Sequence, residues 1–123
     1  MNIYQDIILD HYHHPHNQGR LTKPDKFVNV SNPLCGDKIE MMIVFEKNKV
    51  KEVKFHGEGC VISTASASML TDFTKSKSKE ELKKLNSKFI IKMLGIDLGM
   101  TRIKCAVLPL EALHKLLVQQ LCK

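Results

Sequence analysis

Apolar residues recur with a helical period near both ends of the chain and with a period of two between them. Ile3, Ile7, Ile8 and Leu9 lie on one side of a helical period, so residues 2–13 are predicted to form an amphipathic helix. Pro15 ends it, and Asn17 and Gly19 make the turn that follows. Residues 20–26 are polar, hold Pro24 and read as a loop, and Phe27, Val28 and Val30 predict a short strand over 27–31. Ile39, Met41, Ile43 and Phe45 alternate with Glu40, Met42, Val44 and Glu46, the pattern of a strand. Lys47-Asn48-Lys49 is a turn, and a second alternating strand over 50–55 completes an antiparallel hairpin. The strand at 27–31 would make the sheet three-stranded.

The second half is helical. His56-Gly57-Glu58-Gly59-Cys60 ends the sheet, and a helix is expected over 61–74. Its first two turns, Ser63 to Ser68, carry almost no bulk. That run is expected both from close packing of a neighbouring backbone and from room for a site beside Cys60. Residues 75–79 form an exposed connection; Ser78 and Glu81 have capping-box spacing, so a short helix follows over 79–85, and another over 87–94 ends at Gly95. Residues 97–101 read as a loop. Apolar positions at 103, 106, 107, 110, 113, 117 and 121 are helical in spacing. Pro109 is tolerated in a first turn, which puts the start of the regular helix just after Cys105. Together these elements predict an α+β fold, a small three-stranded antiparallel sheet against several helices.

Composition narrows the function. A chain of 123 residues, 43% hydrophobic and 26% charged, is expected to form one domain over 1–123 with a core of its own. Its net charge of +6 comes mostly from dispersed lysines, with no arginine-rich block and no aromatic-interleaved basic run. The charge therefore reads as solubility or attraction to an acidic protein partner, not as nucleic-acid binding. No apolar run approaches the roughly 20 residues of a membrane span, and the N-terminus lacks the pattern of a signal peptide, so a cytoplasmic protein is expected. In that compartment four cysteines point to metal or redox chemistry before disulfides.

Two groups of residues could carry that chemistry. His11, His13, His14 and His16 cluster around the end of the first helix, but they read as exposed imidazoles near a helix C-terminus, with no evident fourth ligand. The second group is spread along the chain. Cys35 and Asp37 flank Gly36, which lets the backbone turn so that both can aim at one point. Cys60 and Cys105 are each expected beside a helix start, where free N–H groups and the positive dipole end favour a thiolate. Three thiolates and one carboxylate make four ligands for a tetrahedral ion. The hard fourth ligand suggests a site that exchanges what it holds, since structural zinc is usually closed by Cys and His. The intervals of 24 and 44 residues between these cysteines are too long for a zinc-finger signature. Cys122, next to the C-terminal residue, is left out of the site.

Three stretches carry a resemblance. Asn-Pro-x-Cys-Gly-Asp at 32–37, Gly-x-Gly-Cys-x-Ile-Ser-x-Ala-Ser-x-Ser at 57–68 and Arg-Ile-Lys-Cys-Ala at 102–106 resemble the IscU/SufU/NifU N-terminal family of iron–sulfur cluster assembly proteins. Asp10-His11-Tyr12, Pro15, Asn17 and Gly19 are similar to it as well. The resemblance implies that Cys35, Cys60 and Cys105 are the scaffold cysteines and Asp37 the carboxylate beside them, supported by Gly36, Gly59, Arg102 and Lys104. It implies a pyridoxal-phosphate cysteine desulfurase as sulfur donor, apo iron–sulfur proteins as recipients, and either zinc or iron and a [2Fe–2S] cluster at the site. A monomer or weak oligomer is expected. Lys104 stands where the IscU branch has a histidine, and with Arg102 and Ala106 it matches the SufU branch. The helix-length insertion that SufU proteins carry before the third cysteine is missing. The Leu-Pro-Pro-Val-Lys segment with which the IscU branch meets a dedicated chaperone is replaced by Leu98-Gly-Met-Thr-Arg-Ile-Lys. Three readings follow: a cluster scaffold, a zinc-dependent sulfur acceptor in which Cys35 takes the sulfur, and, third, a structural zinc domain that only docks a partner.

Overall fold

In the computed structural model, which describes residues 3–32 and 36–118, the elements run α1 (Ile3–His13), β1 (Lys26–Asn32), β2 (Asp37–Glu46), β3 (Lys49–Glu58), α2 (Val61–Thr74), α3 (Lys79–Lys83), α4 (Ser87–Leu94) and α5 (Met100–Val118). The strands form one antiparallel sheet in the order β1-β2-β3. Ile39, Met41 and Ile43 of β2 and Val53 and Phe55 of β3 point to one face and are buried there. α5 packs across β1 and β2, and α2 lies against β3, α5 and α1.

The β2–β3 link is two residues long, because Glu46 pairs with Lys49. Lys47 (φ 53°) and Asn48 (φ 68°) are both left-handed, as a type I′ turn requires. Asparagine tolerates that region; lysine does so at a cost. Lys47→Asn is therefore expected to stabilise the protein by about 0.5 kcal/mol, read as a rise in urea midpoint at unchanged slope.

Helix ends follow local chemistry. Ser78 caps α3, its Oγ accepting from Glu81 N–H while the Glu81 carboxylate accepts from Ser78 N–H. Asn86 caps α4, and Gly95, left-handed at φ 71°, ends it. The Tyr4 ring of α1 sits over Gly95, where a Cβ would come within 2.3 Å of it.

Two expectations are corrected. The regular helix does not start after Cys105: α5 begins at Met100, so Cys105 is its sixth residue and Pro109 lies well inside it. An interior proline costs about 3 kcal/mol. Leu108, Leu110, Leu113, Leu116 and Leu117 are all buried on this helix, and each contributes about 1.5–3 kcal/mol, so packing wins. Pro109 has no N–H to return to the Cys105 carbonyl, and next to it the Ala106 carbonyl accepts a 2.6 Å bond from Ser66 Oγ of α2. The second correction concerns α1. Ile8 is buried, but Ile3, Ile7 and Leu9 are exposed, because positions 7, 8 and 9 fan around a helix and cannot share one narrow stripe.

Polar contacts hold the end of α1 and the segment after it. Ser68 Oγ accepts from the His16 backbone N–H at 2.7 Å and lies 2.7 Å from His11 Nδ1. The Asn17 amide donates to Thr71 Oγ1 and Asp72 Oδ1, and His16 Nδ1 meets Asp72 Oδ2 at 2.5 Å. Thus His11 and His16 engage α2, whereas His13 and His14 are exposed as expected. The small residues of α2 are explained on both sides: Ser66 touches α5 and Ser68 touches the α1 region.

These contacts make stability depend on pH. Burial pushes Asp72 up, but hydrogen bonds from His16 and Asn17 outweigh it and hold its pKa below the usual 3.8. Burial, then the neighbouring His16, pushes His11 below 6.5. A depressed carboxylate stabilises the fold above 3.8 and loses that contribution as pH falls through its folded value. A depressed histidine acts in the same direction from pH 6.5 downward, because the unfolded chain takes up its proton first. Asp72→Asn should therefore flatten the decline of urea midpoint below pH 4, while leaving the segment between pH 6.5 and 5 sloped.

Candidate metal centre

Asp37 opens β2 directly across from Asn32, the last residue of β1. Gly36 precedes it at φ 77°, and its N–H donates to the Asn32 carbonyl at 2.8 Å. That left-handed turn is strained for any side chain, which is why glycine stands between Asn32 and Asp37. Cys35 lies outside the described residues, as does Cys122; in sequence only Gly36 separates Cys35 from Asp37.

Cys60 is the N-cap of α2, with Sγ accepting from Ser63 N–H at 3.4 Å. The sulfur thus sits at the free N–H groups and positive dipole end of a helix start, as its sequence position predicts. Ser63 Oγ lies 3.7 Å from the same sulfur. Ser63 is a neighbour of the site that its motif alone does not mark, although the Cys60–Ser63 spacing is that of an N-cap and its N3 partner. Gly59 makes room for this contact: a Cβ there would fall 2.3 Å from Ser63 Oγ. Cys105 is buried and comes from the second turn of α5, so it is not at a helix start and has no free N–H groups of a first turn beside it.

The three described side chains converge. One donor atom from each of Asp37, Cys60 and Cys105 lies within 4.8 Å of the others. Asp37 is buried; its Oδ1 accepts from Cys60 N–H at 3.2 Å and its Oδ2 lies 3.6 Å from Cys60 Sγ. Ligands on one tetrahedral zinc, at about 2.0–2.3 Å from the ion, stand about 3.3–3.8 Å apart. The Asp37–Cys60 edge already fits, and the mixed donor set suits zinc or iron. Cys60 is exposed and Cys105 and Asp37 are buried, so the group has one face toward solvent. Arg102 and Lys104 stand on α5 just before Cys105, and both are exposed. Among the described residues, no helix is long and apolar enough to cross a membrane.

Comparison with known proteins places the chain. The family model for the NifU-like N-terminal domain matches residues 3–121. The zinc-dependent sulfurtransferase SufU of Bacillus subtilis is 38% identical, covering 92% of this chain and 88% of the relative. That alignment runs over 130 positions, more than the 123 residues here, so the relative carries positions with no counterpart in this chain. The iron–sulfur cluster assembly scaffold protein IscU 1 of Archaeoglobus fulgidus is 32% identical over 94% of this chain and 75% of its own. A solved chain from Fervidobacterium islandicum, described as a cluster assembly scaffold protein for the SUF system, superposes with a TM-score of 0.76 at 26% identity, covering 94% of this chain and 96% of that one.

Proposed function

We propose, on the premise that the chain belongs to the family of NifU-like N-terminal domains, that it is an iron–sulfur cluster assembly scaffold. In this reading Cys35, Cys60 and Cys105 supply the thiolates and Asp37 the fourth ligand. Sulfur comes from a pyridoxal-phosphate cysteine desulfurase, and the cluster is cargo that passes to apo-proteins. The observation that carries it is the convergence of Asp37, Cys60 and Cys105 from three separate elements on one solvent-facing point.

Asp37 gives the site its lability. Its carboxylate has a ready alternative to an ion, the Cys60 N–H. A ligand that can fall back on a hydrogen bond leaves with a smaller penalty than one left unpaired in a buried place. Asp37→Ala is expected to release its cargo to a chelator more slowly than wild type. Faster loss would contradict the role assigned to Asp37.

Identity to the Bacillus subtilis sulfurtransferase and Lys104 before Cys105 favour a second reading, a zinc-dependent sulfur acceptor. Zinc on the same four residues would keep the thiols deprotonated at neutral pH. The Cys35 thiolate attacks the outer sulfur of the desulfurase persulfide; the S–S bond breaks, the desulfurase thiolate leaves, and Cys35 carries the persulfide. Anaerobic incubation with iron and a desulfurase separates the two. A scaffold develops visible thiolate-to-iron charge-transfer absorption. A protein that stays colourless, keeps one zinc per chain and accelerates the desulfurase sinks the scaffold reading and supports the second.

A further inference from the structure

The histidine-rich end of α1 meets α2 away from the cysteines. His11 comes from the last turn of α1, His16 from the segment after it and Asp72 from the fourth turn of α2. One donor atom from each lies within 4.8 Å of the other two. The His11 and His16 rings are 4.5 Å apart between centroids and tilted by 51°. The fourth ligand that the sequence did not reveal is unnecessary for this chemistry: two imidazoles and one carboxylate form a three-point set with open positions, used for zinc and for iron(II).

We propose that His11, His16 and Asp72 form a second binding site for a divalent transition-metal ion of the zinc and iron(II) class, separate from the cysteine centre. Asp72 and Cys60 are 12 residues apart on one helix, which sets the two sites about 18 Å from each other. The side chains of His16 (48% exposed) and Asp72 (43%) are open to solvent, so an ion can enter. The donors are also held in place. Ser68 engages both histidine residues, and Asn17 steadies Asp72 through its other oxygen. The His16–Asp72 contact at 2.5 Å would open to the roughly 3.3 Å spacing of two ligands on one ion, a small side-chain movement. The proton between them moves to the other ring nitrogen or to solvent. Burial keeps His11 in its neutral, ligating form to lower pH than a free imidazole. A hydrogen-bonded clasp between α1 and α2 would make the same contacts without binding metal.

Cobalt(II) titrated into the full chain makes that distinction. Two equivalents are expected. One gives thiolate-to-cobalt charge-transfer absorption, which in Cys60→Ser loses intensity and needs about 100-fold more cobalt to develop. The other gives ligand-field bands without a thiolate component and disappears in both His16→Gln and Asp72→Asn, which leave the thiolate band unchanged. Asp72→Asn retains hydrogen-bonding capacity, so circular dichroism should show the wild-type fold even if His16→Gln disturbs it. In parallel, histidine ring 15N resonances of His11 and His16 should shift with the second equivalent while those of His13 and His14 do not. Binding of a single equivalent by wild type, survival of the second in either variant, or shifts confined to His13 and His14 would overturn the proposal. Because the cysteine variant and the histidine variants report on different bands, failure here is distinguishable from failure of the scaffold reading.

Discussion

Cys60→Ser is expected to lower the affinity of the cysteine centre for zinc about 100-fold while leaving the fold intact. Four-ligand zinc sites bind with about 10–16 kcal/mol, so one thiolate accounts for roughly 3 kcal/mol, or about two decades in Kd. A serine hydroxyl does not deprotonate at neutral pH and cannot replace it. The protein should tolerate the change for a local reason. Cys60 is exposed and caps α2 through a bond from Ser63 N–H, and serine is a preferred N-cap. Competition against a chromophoric chelator reads the affinity, and urea unfolding of the apo-protein reads the fold. Wild-type affinity in the variant would remove Cys60 from the ligand set. Cys105→Ser is a poorer probe, since Cys105 is buried in α5 and its replacement disturbs packing as well as binding.

Leu113→Ala should cost about 3–4 kcal/mol, near the middle of the range for buried leucines. Leu113 is fully buried on α5, the helix that packs across β1 and β2, so the lost side chain leaves a cavity. Against a typical domain stability of 5–15 kcal/mol this is a large fraction. It also reaches the metal centre, because the same helix carries Cys105. A zinc ion held only by the folded arrangement would, at 100 times its Kd, restore about 2.7 kcal/mol. Urea unfolding with and without zinc should therefore show a large drop in the apo-variant and partial recovery on adding metal. A variant whose stability zinc does not raise would mean that folding of α5 and assembly of the site are uncoupled.

Much of this architecture is legible in the chain because it depends on neighbours in sequence. The span of α2, the capping box at Ser78 and Glu81, the stop at Gly95 and the turn at Lys47-Asn48 all follow from residues within four positions of one another. α5 is not legible in this way. Pro109 and Gly99 are local breaking signals, and the chain continues as helix through Pro109 because five buried leucines outweigh one proline. α1 shows the opposite: its apolar residues suggest a buried stripe, yet Ser68, Thr71 and Asp72, more than fifty positions away, hold its end and the segment that follows.

The sequence by itself determined the donor types and the family motifs. Cysteines and a carboxylate beside glycines are covalent facts, and their chemistry toward metals needs no fold to be stated. Only the tertiary structure decided which donors meet. Asp37, Cys60 and Cys105 stand on a strand, a helix cap and a helix interior, and nothing in the intervals between them encodes their approach to within 4.8 Å. The same holds for His11, His16 and Asp72. Pairing of β2 with β3 and packing of α2 against α5 set the first grouping, and packing of α2 against α1 sets the second; small residues at 63–68 let these backbones come close enough for distant side chains to share a point.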